Sequence, residues 1–229
     1  MSAIADNFAA VRAQLLAACE AAGRAPEEVA LLAVSKRHPA SAVTDAMAAG
    51  QRRFGENRVQ ELAGKAAELG EVEGLGWHLI GSLQTNKVRD LLRVPGLELI
   101  HSCDRSRLAD ALQRELAATD RRVDVLLQVN ATGEAQKHGC EVADAPALLE
   151  HVQARCGALR VCGLMAMGPL DGAARPVFDR VAALRDDLRA RSGLPLATLS
   201  LGMSGDLADA IAAGSTMVRV GTALFGARD

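Results

Sequence analysis

Lys36 ends an apolar run, Leu31-Leu32-Ala33-Val34-Ser35-Lys36. An amine at the lip of an apolar layer is partly desolvated, which disfavours its ammonium form. The free amine is the form that condenses with a carbonyl. Position alone is better explained by a lysine reaching solvent along its aliphatic stem. Two segments near the other end of the chain shift that balance. Gly202, Ser204 and Gly205 lie just ahead of a helical stretch, and Gly221-Thr222 follows the run Val218-Arg219-Val220. Small residues there let backbone N–H groups approach an anion, and a helix N-terminus adds partial positive charge. Either segment alone is ordinary turn chemistry. Arg219 alternates with two valines, so its side chain points away from theirs. If the valines pack under helices, the arginine faces an interior and needs a partner. Glu56 is one candidate. The other is an aromatic ring nitrogen. A guanidinium does not readily give up a proton, so that nitrogen would stay unprotonated and the ring would draw electrons poorly.

These residues fall at regular places in an alternation of short apolar runs and helical periods. Ile4, Phe8, Val11, Leu15 and Leu16 give residues 4–22 an amphipathic helix that stops at Gly23. The pattern then predicts strands at 29–36, 53–57, 77–82, 98–103, 123–130, 159–167, 198–203 and 217–225. Helices are expected over 39–49, 59–69, 86–93, 107–118, 145–155, 176–190 and 207–213, with Asp104 capping the fourth. Strand–helix alternation implies a parallel sheet, and eight strands close a (β/α)8 barrel of the TIM type, here with an extra N-terminal helix. An open doubly wound sheet is the rival, but no GxGxxG follows the first strand. No linker-like stretch divides the chain, so a single domain over 1–229 is expected. Sites in such barrels lie at the carboxyl ends of the strands, and phosphate often sits in the loops after strands seven and eight. Lys36, the two small-residue turns and Arg219 would then share one end. Together they suggest a phosphorylated pyridine aldehyde.

Composition narrows the class. Of 229 residues, 49% are apolar, enough for a sizeable core, and the 26 basic and 28 acidic residues are spread along the chain. Nothing resembles the basic stripe of a nucleic-acid binder, a secretory leader or a membrane span. Five cysteines without CxxC spacing argue against a disulfide framework or a zinc cluster, so no metal is expected and a reducing, cytoplasmic compartment is. His78 reads more readily as a satisfied strand histidine than as a base, and His101 and Cys103 as packed inside the barrel. Met165 reads as a gap filler that could touch a ligand face.

Several longer motifs occur in one order along the chain. They are Ala33 to Lys36 with Pro39, Phe54-Gly55-Glu56-Asn57 with Val59-Gln60-Glu61, Trp77 to Gly81, Leu83 to Lys87, Gly163 to Met165, Leu199 to Ser204 and Val218 to Gly226. With them the chain resembles the YggS/PROSC family of pyridoxal phosphate homeostasis proteins, which share the amino-terminal barrel of alanine racemase. The resemblance implies pyridoxal 5′-phosphate (PLP) held as a Schiff base on Lys36. It implies phosphate binding by Ser204, Gly205, Gly221 and Thr222, and Arg219 facing the pyridine nitrogen. Asn57, His78, Met165 and Ser200 would line the pocket. It also implies a carrier that delivers the cofactor to apo-enzymes, with no catalytic residue, and the lack of a racemase-type second domain leans towards a monomer. The alternative is a PLP-dependent racemase, which needs a proton donor or acceptor on each face of the substrate carbon. The second base of alanine racemase is a tyrosine, and this sequence has none. Arg58, Arg37-His38, His138 and Gly205 depart from the family pattern.

Overall fold

The computed structural model describes residues 3–226, so the outer bounds of the expected domain lie outside the described residues. Helix α1 (Ala3–Ala21) leads into β1 (Ala30–Val34), α2 (Ala40–Ala48), β2 (Arg53–Glu56) and α3 (Val59–Leu69). Then come β3 (Gly76–Leu79), α4 (Val88–Leu92), β4 (Leu97–Cys103), α5 (Ser106–Leu116) and β5 (Val123–Asn130). The last part holds β6 (Cys140–Glu141), α6 (Ala145–Arg155), β7 (Leu159–Met165), α7 (Arg175–Ser192), β8 (Thr198–Ser200), α8 (Leu207–Ala212), β9 (Met217–Val220) and α9 (Thr222–Phe225).

Eight parallel strands, β1 to β5 and β7 to β9, pair in sequence order, and the pairings β4–β5 and β9–β1 close them into a (β/α)8 barrel. The two-residue β6 only flanks β5, where Val129 pairs with Cys140. The alternation of strand side chains produces two apolar layers. One lies between barrel and helices and includes Phe54, Trp77, Ile100, Val218 and Val220. A smaller one fills the barrel with Leu32, Leu99, Leu126, Met165 and Met217, in the layered manner of such barrels. Helix α1 buries Phe8, Val11, Leu15 and Cys19 against the C-terminal elements, and Phe8 meets Phe225 edge-on at 6.1 Å.

Five sequence expectations need correction. Leu16, taken as part of the buried stripe of α1, is exposed, because the stripe continues through Cys19 instead. Strand β1 ends at Val34, and Lys36 stands in a following turn in which Arg37 has φ 66°. Strand β9 ends at Val220, and residues 222–225 form a short helix rather than more strand. Asp104 does not cap α5. It pairs with Arg105, the residue that precedes the helix. Cys103 packs on the helix side of β4 rather than inside the barrel.

Candidate functional site

A buried ionic cluster sets the turn that carries Lys36. Gly55 faces the barrel interior beside Leu32 and Ile80, so Glu56 faces α3. There its carboxylate accepts from Ser35 Oγ and Lys65 Nζ, both at 2.6 Å. Lys65 also donates to the Ser35 carbonyl at 2.7 Å and to Glu61 at 2.9 Å, while Glu61 accepts the backbone N–H of Arg37. Residues 35 and 37 are therefore pinned on either side of Lys36, which is half-buried at the cavity wall. Burial pushes the Glu56 carboxyl above its usual range against the hydrogen bonds from Lys65 and Ser35. For Glu61 burial acts upward too, but Lys65 and the Arg37 N–H outweigh it and hold the carboxyl below that range. Glu56 is thus the partner of Lys65. The ion pair with Arg219 considered from sequence does not form, because the two side chains leave opposite faces of the sheet.

Arg219 lies inside the barrel, 5% exposed, with its neighbours Val218 and Val220 packed under the helices. Nη1 donates to the Ser200 carbonyl at 2.6 Å and to Ser200 Oγ at 2.8 Å, and Nη2 donates to the Ala166 carbonyl at 3.0 Å. These bonds use three of five N–H groups. The remaining two have no protein acceptor among the described residues, and Arg219 lines the cavity. Burial lowers its pKa to about 10, with Asp206 acting against the shift. The guanidinium is still protonated at neutral pH.

The turns after β8 and β9 lie beside the Lys36 turn, since β9 pairs with β1 and β8 with β9. Gly221 packs on the end of β1, where a Cβ would lie 3.2 Å from the Val34 carbonyl oxygen. The turn at 203–206 is closed by the Met203 N–H donating to the Asp206 carboxylate at 2.6 Å, and the Arg219 N–H donates to the Gly202 carbonyl at 3.0 Å. The backbone N–H groups of Ser204, Gly205, Thr222 and Ala223 have no protein acceptor among the described residues.

One cavity of about 720 Å³ joins Lys36, Asn57, Met165 and Arg219, four of the ten residues expected from sequence. Ile80, Met167 and Met203 add apolar wall, and among the described residues no Asp or Glu lines it. Ser204, Gly205, Gly221 and Thr222 stand beyond that lining, at the ends of β8 and β9 on the same side of the barrel. His78 and Ser200 do not line it. They are buried behind Arg219 as hydrogen-bonded core residues, because each sits deeper on its strand than the cavity floor. Sequence reasoning missed Lys65 and Gln128. The Glu61–Lys65 spacing of four on α3 was an available signal. Gln128 donates to the His138 carbonyl at 3.0 Å and leaves its buried Oε1, in the cavity wall, without a partner among the described residues.

Residues 2–229 match the family described as alanine racemase, N-terminal domain. The pyridoxal phosphate homeostasis protein of Pseudomonas aeruginosa is 48% identical over 229 residues, covering all of this chain and 97% of the relative. The chain belongs to the pyridoxal phosphate homeostasis protein family. The member from Escherichia coli is 45% identical over 236 residues, covering all of this chain and 98% of its own. Among solved structures, PipY of Synechococcus elongatus with PLP bound superposes with a TM-score of 0.84 at 38% identity, over 97% of this chain and 100% of PipY.

The residues present fit the cofactor that the family implies. The open backbone N–H groups at 204–205 and 222–223 suit a phosphate. Gly221 keeps a Cβ out of the space against β1. The unsatisfied N–H groups of Arg219 suit a ring nitrogen, the orphaned Gln128 oxygen offers an acceptor, and methionine and isoleucine walls suit flat ring faces.

Proposed function

We propose that this chain binds PLP as a Schiff base on Lys36, in a single domain spanning 1–229, and carries it to apo-enzymes in the cytoplasm without turning over a substrate. The observation that carries the reading is the convergence of an amine, a fixed guanidinium and acceptor-free backbone N–H groups at one barrel end. In this reading Lys36 Nζ joins the aldehyde carbon with loss of water. Ser204, Gly205, Gly221 and Thr222 hold the phosphate, Asn57 and Met165 flank the ring, and Arg219 faces the ring nitrogen. When bound, PLP supplies an electrophilic carbon and an electron-accepting ring. Arg219 restrains the second property, since a guanidinium donor leaves the ring nitrogen unprotonated. The sequence has no tyrosine, so a racemase's usual second acid–base group is lacking, and this favours carriage over catalysis. No helix among the described residues is long and apolar enough to cross a membrane.

Two measurements test the reading. The purified protein with PLP is expected to show the visible absorption of a Schiff base, and Lys36→Ala is expected to abolish it. Incubation of the loaded protein with a PLP-free apo-enzyme is expected to restore that enzyme's activity, with no racemisation of amino acids by the carrier alone. A colourless protein with added PLP would overturn binding, and robust racemisation would overturn the carrier reading.

A further inference from the structure

Arg219 is a buried cation with no carboxylate in contact among the described residues, yet it is not electrically isolated. Ser200 Oγ, which accepts from Arg219 at 2.8 Å, lies 3.1 Å from His101 Nδ1. His101 Nε2 lies 3.0 Å from His78 Nδ1, and His78 Nε2 lies 3.4 Å from Glu98 Oε2. Ser200, His101 and His78 are all at least 98% buried, whereas the Glu98 side chain is 40% exposed. The chain therefore crosses the barrel from the cavity floor to the end where β2, β3 and β4 begin.

The local backbone is built around the far end of this chain. Trp77 pairs with Leu97 and His78 with Leu99, so Glu98 is the extra residue of a bulge, a device that re-aims a side chain. Gly76 makes room for it, since a Cβ there would lie 2.3 Å from the Glu98 carboxyl carbon.

The ends of the chain dictate the direction of every bond. Arginine only donates and an ionised carboxylate only accepts. Glu98 therefore accepts the hydrogen bond of His78 Nε2–H. A neutral His78 then accepts at Nδ1, from His101 Nε2–H. A neutral His101 accepts at Nδ1, from the Ser200 hydroxyl, whose oxygen is left to receive Arg219. We propose that Arg219→Ser200→His101→His78→Glu98 is a one-way hydrogen-bond relay in which His101 is a positioning residue. The relay fixes the Arg219 guanidinium toward the cavity and connects it to the Glu98 carboxylate at the opposite face, whose Oε2 also accepts from Arg53 Nε at 2.9 Å. The surroundings agree with two neutral imidazoles. His101 faces His78, Ser200 and Arg219, and its pKa is held well below the usual value by burial first, with the nearby Arg219 cation acting in the same direction. His78 faces His101, with Glu98 from β4 and Arg53 from β2, and burial lowers its pKa although Glu98 opposes the shift.

The inference rests on Arg219 serving the cofactor site, but its test needs no cofactor, so its failure is separable from failure of PLP binding. Long-range proton–nitrogen NMR of histidine-labelled full-length protein at neutral pH reads each tautomer. Both His78 and His101 are expected to carry hydrogen on Nε2 only. A hydrogen on Nδ1 of either ring, alone or with Nε2–H, overturns the relay. The Arg219 Nη1 protons are expected to be resolved and slow to exchange in the wild type. In His101→Phe they should exchange about tenfold faster, as for one lost charge-assisted hydrogen bond. His101→Asn, whose amide oxygen can take the Ser200 proton, should recover most of that protection. Equal exchange in all three proteins contradicts a positioning role, and the wild-type tautomers decide the case if His101→Phe fails to fold.

Discussion

At the scale of single residues, burial disfavours the charged forms of His78 and His101. His78 and His101 have folded-state pKa values below that of an unfolded histidine, about 6.5. The unfolded chain therefore binds more protons as pH falls, and each histidine withdraws stability by up to about 1.4 kcal/mol per pH unit below that value. The stability they contribute is fully present above about pH 6.5 and is lost in acid. Glu56, pushed upward by burial, works in the opposite sense just above the ordinary carboxylate range. The useful measure is thus a difference. Denaturant unfolding of wild type and His101→Phe between about pH 5 and pH 7.5 should show a shallower pH slope in the variant. An identical slope would mean that His101 takes up no proton on unfolding in this range.

At the scale of elements, the 35–37 turn depends on α3 through Lys65. Lys65→Met leaves Glu56 in the interior with only Ser35 as donor. Breaking such a pair costs roughly 3–5 kcal/mol, measured as a loss of unfolding free energy. The double variant Lys65→Met with Glu56→Leu removes the stranded charge and should regain much of that loss. No recovery would show that the cluster does not hold the turn as described. These relations were only partly legible in the sequence. Arg219 could be placed inside because alternation with two valines is a strong signal over a short strand. The same rule applied to Gly55-Glu56 would have turned Glu56 toward α3, but a glycine carries no hydropathy to mark its face. The positive φ of Arg37 hid the end of β1, because nothing in an arginine announces a left-handed turn. Apolar residues in α9 read as more strand for the same reason that short apolar runs always do.

At the scale of the whole molecule, eight strand–helix units were readable from spacing, and their closure brings residues 36 and 219 to one cavity. The depth of His78 and Ser200 was not readable, since position along a barrel strand depends on register rather than on residue type. Carriage by a compact barrel predicts a monomer, so sedimentation should give a mass near 23.9 kDa, and a stable dimer would contradict that expectation. The central claim concerns one amine among four. Only Lys36 and Lys87 line the cavity. Borohydride reduction of the PLP-loaded protein followed by peptide mass spectrometry locates the attachment directly. A pyridoxyl group on Lys36 is the predicted result, and attachment at Lys65, Lys87 or Lys137 with Lys36 unmodified would contradict the account.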